Sequence, residues 1–174
     1  QKLQRAEAEM ASGDPERLKY AALELRESME AITYDRALKY KDELPPEAYQ
    51  KWQPRRLVEL MAELDWMVSF ESWEVSIKPH SKPGEPEKPY MSLGTETLLT
   101  MKDLIKHYNA LGSLLHIPTL RQLQEDKLPE TNNIKRQLDE CAASVRNVLK
   151  SPISKIDVKI VSKLDCLRCG NLVV

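Results

Sequence analysis

The chain has 174 residues, of which 30% are charged and 6% aromatic, with 5 Gly and a net charge of -1. That balance excludes a global basic field that draws in nucleic acid, and it favours a helical protein with solvated outer faces. Three cysteines, two of them in one Cys-x-x-Cys, exclude a disulfide framework. No run approaches the ~20 apolar residues of a membrane span and no signal peptide is visible, so a reducing, cytoplasmic setting is expected.

In chain order, a weak helical pattern over residues 1–12 precedes the clearest element. Asp14 suits a helix N-cap, and Pro15 suits the first helical position, where its missing N–H costs nothing. Leu18, Ala22, Leu25, Met29 and Ile32 recur at three- and four-residue steps, so they share one helix face. Pro45 and Pro46 close a helix of about seven turns. A short second helix opens on Pro54.

From Met67 to Ile77 the period shortens towards alternation, which predicts a strand. The proline-rich stretch from Pro79 to Pro89 reads as an exposed loop. The spacing then predicts a second long helix capped by Thr95, with Leu98, Met101, Ile105, Tyr108, Leu111 (or Gly112) and Leu115 inward, stopped or kinked at Pro118. A short helix over the residues after Pro118 is expected. A last helix follows, with Ile134, Leu138, Cys141, Ala142, Val145 and Leu149 inward and Pro152 closing it. Beyond it, Ile156, Val158 and Ile160 alternate as in a strand, and the final Asn171–Val174 reads as another. The expected fold is therefore mainly α: a helical bundle with two long helices over residues 1–152, and a small C-terminal β-hairpin over 153–174.

Cys166 and Cys169, followed by Gly170, form a knuckle between the two C-terminal strands. A turn of this kind points two thiolates at one metal, and the glycine permits the backbone it needs. It is half of a four-ligand structural zinc site, with the other two ligands expected beyond Val174 or from a second subunit. Two unligated cysteines in a hairpin turn remain the plain alternative. Cys141, on the apolar stripe of the last helix, reads as a small buried hydrophobe.

The long helices also carry polar rows. Arg26, Glu30 and Tyr34 are spaced four apart on the first, and Asn109 and His116 lie two turns apart on the second. If the two helices pack antiparallel, the rows meet, and an Arg, a Glu and a Tyr around His116 are groups that position a phosphate and move a proton. Otherwise Arg26–Glu30 is an ordinary helical ion pair and His116 a helix-end residue favoured by the C-terminal dipole.

The first long helix, the later helix ending in the stretch Tyr108–Thr119, and the all-helical order between them resemble the HEPN superfamily over roughly residues 14–150. That resemblance implies a small helical bundle that usually dimerises. It also implies either a metal-independent RNase of toxin–antitoxin or antiviral defence systems, or an inactive RNA- or nucleotide-binding relative. The family's active motif pairs an Arg with a His on the later helix. His116 matches the His, but Asn109, Ala110 and Leu111 stand where the Arg belongs. Three functions follow as expectations. The first is a binding or regulatory module contacting RNA, a nucleotide or a protein. The second is an RNase using His116 with support from Arg26, Glu30, Tyr34 and Asn109. The third is a structural subunit of a larger complex. From Ile134 onward the chain carries eight basic and four acidic residues, a mildly basic tail compatible with each.

Overall fold

The computed structural model describes residues 1–51, 53–69, 71–79, 81, 84, 86–125, 130–151, 164–165 and 172–173. It is mainly α, with seven α-helices and two short antiparallel hairpins among these residues. Asp14 caps as its sequence implies, accepting from the Glu16 N–H at 2.9 Å, and Pro15 starts a single 3-10 turn that runs into the central helix. The helices are α1 (Lys2–Ala11), α2 (Leu18–Ala37), α3 (Pro46–Gln50), α4 (Pro54–Leu64), α5 (Met101–Leu115), α6 (Leu120–Gln124) and α7 (Thr131–Lys150).

Around α2 pack α1, α4, α5 and α7. Its fully buried Leu25 and Met29 each contribute about 2 kcal/mol of burial. Alanines make the α1–α2 seam tight: Ala6, Ala21 and Ala22 are fully covered. Ion pairs then frame α1, Lys2 with Glu27, Arg5 with Glu24 at 3.4 Å, and Glu9 with Arg17 at 2.7 Å. Their order along the two helices makes α1 and α2 antiparallel. By the same logic α5 is antiparallel to α2. Leu114 and Leu18 line one cavity at one end, and Ile32 lines another with Leu98 and Leu99, just before α5, at the other.

Several expectations shift. The second long helix starts at Met101, and Thr100 caps it by accepting from the Asp103 N–H at 3.1 Å; Thr95 does not. Gly94–Thr97 instead belong to a strand, β2 (Met91–Thr97), paired antiparallel with β1 (Ser72–Ile77). The strand expected from Met67 is shorter for a local reason, since residues 66–69 form a 3-10 turn. The α5 stripe is rotated. Leu104, His107, Leu111 and Leu114 are buried, whereas Met101, Tyr108 and Leu115 are only partly so, because α5 is covered from two sides by α2 and α7. On α7 the inward residue of the last turn is Val148, and Leu149 is exposed. Cys141 is buried as expected; burial pushes its thiol up to about 12, so it is an unreactive packing group at neutral pH.

Within the β1–β2 hairpin Val75 pairs with Gly94 but Ser76 pairs with Ser92, leaving Leu93 as a bulge. Gly94 has φ +124°, a conformation that a side chain disfavours. The hairpin is fastened at its base. The Leu98 N–H donates to Glu71 O at 2.9 Å, and the Ser151 hydroxyl, at the end of α7, donates to Thr95 O and accepts from the Thr97 N–H. At the C-terminus Leu164 pairs with Val173 and Asp165 with Leu172, which makes β3 and β4 a two-rung antiparallel hairpin. The strand expected over Ile156–Ile160 and both knuckle cysteines, Cys166 and Cys169, lie outside the described residues.

Candidate functional site: the cleft between α4 and α5

The antiparallel packing of α2 and α5 brings the first polar row against α5, two turns from where His116 stands. Arg26 pairs with Glu30 at 3.3 Å, and both meet Tyr108. The Tyr108 hydroxyl donates to Glu30 at 2.8 Å and accepts from Arg26, whose guanidinium also lies 4.0 Å from the Tyr108 ring centroid. Glu30 is buried at 6% exposure, so this is no ordinary surface pair. In such a setting charge-assisted bonds are strong and a missing partner is costly. Burial first, and then the bond to Glu30, raise the Tyr108 hydroxyl above its usual range, so it stays a donor at neutral pH.

Tyr108 also lines a cleft of about 590 Å³ between α4 and α5, together with Asn109, Gln53, Arg55, Arg56 and Glu59. Tyr34 secures the rim of this cleft. Its hydroxyl donates to Lys51 O at 3.0 Å and accepts from the Gln53 N–H at 3.3 Å, which fixes the chain entering α4. No side chain caps α4, so the first-turn N–H groups of Arg55 and Arg56 are not taken up by a capping side chain. Among the described residues Arg55 pairs with Glu59, and Arg56 with Glu59 and Glu63, in exposed bridges that contribute little. The cleft therefore offers two exchangeable guanidiniums, a helix N-terminus, an amide and an aromatic ring. Those are the groups that hold a phosphate and its base.

Of the predicted residues Asn109 lines this cleft, while Arg26 and Glu30 touch it through Tyr108 and Tyr34 through Gln53. His116 does not join them. It is the exposed residue just past the end of α5, about 12 Å along the helix from Tyr108. It borders a different cleft of about 410 Å³, walled by Leu18, Leu114, Ile117, Pro118 and Ile134, in which Lys19 supplies the cation. The expected meeting of His116 with the Arg26–Glu30 row fails because that row lies mid-helix on α2, opposite the middle of α5, while His116 lies at an end.

Two groups escaped the sequence. The helical spacing places Tyr108 on the apolar stripe of α5. Its place there, about two turns into α5, gives no sign of the hydroxyl's partners on α2. His107 is buried and its Nε2 lies 3.0 Å from the Ser144 hydroxyl; burial, reinforced by Lys106, lowers its pKa below 6.5. It is a packed, neutral histidine that joins α5 to α7.

For zinc, the thiolate pair Cys166 and Cys169 is the donor chemistry that the metal favours. Two further donors are needed, and among the described residues no group of three or more His, Cys, Asp and Glu comes together to hold a metal. Among the same residues no helix is long and apolar enough to cross a membrane. No protein-family model, no curated protein and no solved structure matches this chain.

Proposed function

We propose that this chain is a cytoplasmic RNA-binding module of the HEPN type, without nuclease activity of its own, that works as a dimer or within a defence or toxin–antitoxin complex. The observation that carries it is the division of the polar residues. The group suited to a phosphate, Arg55 and Arg56 with Tyr108 and Asn109, lies apart from the one histidine at a helix end that is suited to proton transfer. A ribonuclease needs the two together, the base at the attacking oxygen and the cation on the phosphorane. In the binding role, Arg26 and Glu30 hold Tyr108 at the wall of the cleft, Tyr34 holds its rim, and the arginines exchange their surface carboxylates for phosphates. The Cys166–Cys169 pair would hold a structural zinc with two donors from a partner or a further segment, stiffening the C-terminal hairpin.

A second function has one observation in its favour. Lys19 shares the His116 cleft, so an RNase built on His116 has a cation within its own lining. One experiment separates the two. Labelled single-stranded RNA and tRNA are incubated with the protein in EDTA, wild type beside His116→Ala and Arg56→Ala. Retarded, uncut RNA with the wild type and His116→Ala, weakened in Arg56→Ala and less steeply salt-dependent there, is the expected result. Cleavage by the wild type that His116→Ala lacks would establish the nuclease instead. Absence of any retardation would remove RNA as the ligand and leave a protein partner.

A further inference from the structure

The β1–β2 hairpin has two outer edges, and the fold treats them differently. The Leu98 N–H donates to Glu71 O, which makes Glu71 and Leu98 a hydrogen-bonded pair. By alternation the backbone N–H and C=O groups of Ser72, Glu74 and Ser76 on β1 point outward, as do those of Thr95 and Thr97 on β2. The β2 edge is closed at its base, where the Ser151 hydroxyl accepts from the Thr97 N–H at 3.3 Å and donates to Thr95 O at 3.1 Å. Towards the tip the bulge at Leu93 interrupts the same edge. On β1, among the described residues, no hydrogen bond reaches the outward backbone groups, and Ser72, Glu74 and Ser76 are all exposed.

An open edge templates another strand unless proline, lysine or a bulge guards it. From Ser72 to Ile77 β1 carries none of these. Its one charged side chain, Glu74, is drawn over β2 by the Ser92 hydroxyl, which donates to it at 2.5 Å. On the opposite face Trp73, Val75 and Ile77 form an apolar row that opens towards the tip, where Ile77 is 44% exposed and its cross-strand neighbour Met91 52%. Two strands alone make a marginal sheet, and further strands stabilise it.

The order of residues along β1 selects the strand that fits. About a two-fold axis at Val75, an antiparallel copy of β1 sets Trp73 against Ile77 and Val75 against itself on the apolar face. On the polar face it sets Glu74 against Ser76, so no carboxylate meets its like. An axis one residue away, at Glu74, would oppose the two carboxylates, which is unfavourable. With one edge open and the other closed, such pairing ends at two copies and does not run on into a fibre.

We propose that the outer edge of β1 docks β1 of a second copy of this chain, the strands pairing antiparallel about Val75 to form one continuous sheet in the order β2-β1-β1-β2. About four backbone hydrogen bonds join Glu74 and Ser76 of each copy around the axis. The contact specifies the dimer of the reading above and rests on that reading for the dimer alone; RNA has no part in it.

Sedimentation velocity of the full chain over a concentration series, without RNA, tests this. A small interface of this kind predicts a monomer–dimer equilibrium with a Kd on the order of 10 μM. Ser76→Pro removes an outward N–H that the hairpin itself does not use, and is expected to weaken the dimer at least about tenfold. Oxidative cross-linking then tests the register by a gain of signal. Val75→Cys brings two thiols to a non-hydrogen-bonded pair with Cα atoms about 4.5 Å apart, within disulfide reach, and should yield covalent dimer well above the wild-type level. Glu74→Cys places them on a diagonal about 7–8 Å apart and should not. A chain that stays monomeric throughout the series would overturn the proposal. So would equal cross-linking of the two cysteine variants. A dimer that Ser76→Pro leaves intact would keep the dimeric reading and overturn this contact.

Discussion

Glu30 and Glu96 are nearly equally buried, at 6% and 9% exposure, and differ in company. Glu30 sits where α2 and α5 cross, with a guanidinium and a phenol around it. Glu96 sits at a strand end facing hydrocarbon, with neither. Burial alone therefore does not tell a structural carboxylate from one free to act. A carboxylate whose lone pairs are all engaged holds two helices together, and its removal is felt by the fold. A carboxylate such as Glu96, whose oxygens are not among the buried unpartnered atoms, holds no second element in place, and the fold feels its removal far less.

The largest effect that tests this contrast is at the partnered residue. Glu30→Ala leaves the half-buried Arg26 and the Tyr108 hydroxyl without their acceptor and is expected to cost about 2 kcal/mol in urea unfolding. Arg26→Ala should cost less, and the double variant less than the sum. A loss of only a few tenths in Glu30→Ala would make the network decorative. Next comes His107, which folding holds below its unfolded pKa of about 6.5. The unfolded chain then binds the proton first as the solution is acidified. The contribution is fully present above pH 6.5 and is lost as pH falls through that value towards the folded pKa. Melting of the wild type should thus weaken between pH 7 and 5 by at most about 1.4 kcal/mol per pH unit from this group, and the part due to it should vanish in His107→Asn. An identical pH profile in that variant would place the titration elsewhere.

Glu96→Gln is expected to change unfolding by less than about 1 kcal/mol, well below Glu30→Ala, since the Glu96 carboxylate makes no hydrogen bond among the described residues that the amide would lose. A larger destabilisation by that substitution would mean that Glu96 has a role in the fold. The smallest effect belongs to His116→Ala, at an exposed position past the end of α5. Its unfolding should stay within about 0.5 kcal/mol of wild type. A larger loss would show that the cleft around Pro118 depends on the imidazole for packing.

The helices were legible because their ends are written locally. Asp14 with Pro15, and Pro54, each mark a start that short-range sterics enforce. The two-residue steps of β2 were not legible. Its sequence Met91–Thr97 contains a glycine in the bulge, and its one buried side chain is a glutamate, so no apolar alternation betrays a strand. Thr95 offers a capping hydroxyl in sequence, but Thr100, five residues on, offers the same group with Asp103 at the matching place and is the cap. At the site, the Arg26–Glu30 spacing was visible on one helix. The partner, Tyr108, was 78 residues away from Glu30, and only the crossing of α2 and α5 discloses that pair. His116 misled for a related reason: sequence separation along a helix is a length, and two turns are enough to take a side chain out of a site.

The bulge at Leu93 gives the hairpin two phases. From Ser72 to Val75 partners follow one register, and beyond it Ser76 and Ile77 follow another, one residue out of step. The base is anchored to the bundle by Leu98 and Ser151, so the side of the sheet on which Glu96 stands is decided there. The tip keeps its own parity. Changes in the length of the connection between β1 and β2 are thus absorbed at the bulge, and this loop is free to vary through insertion or deletion while the carboxylate below it keeps its address.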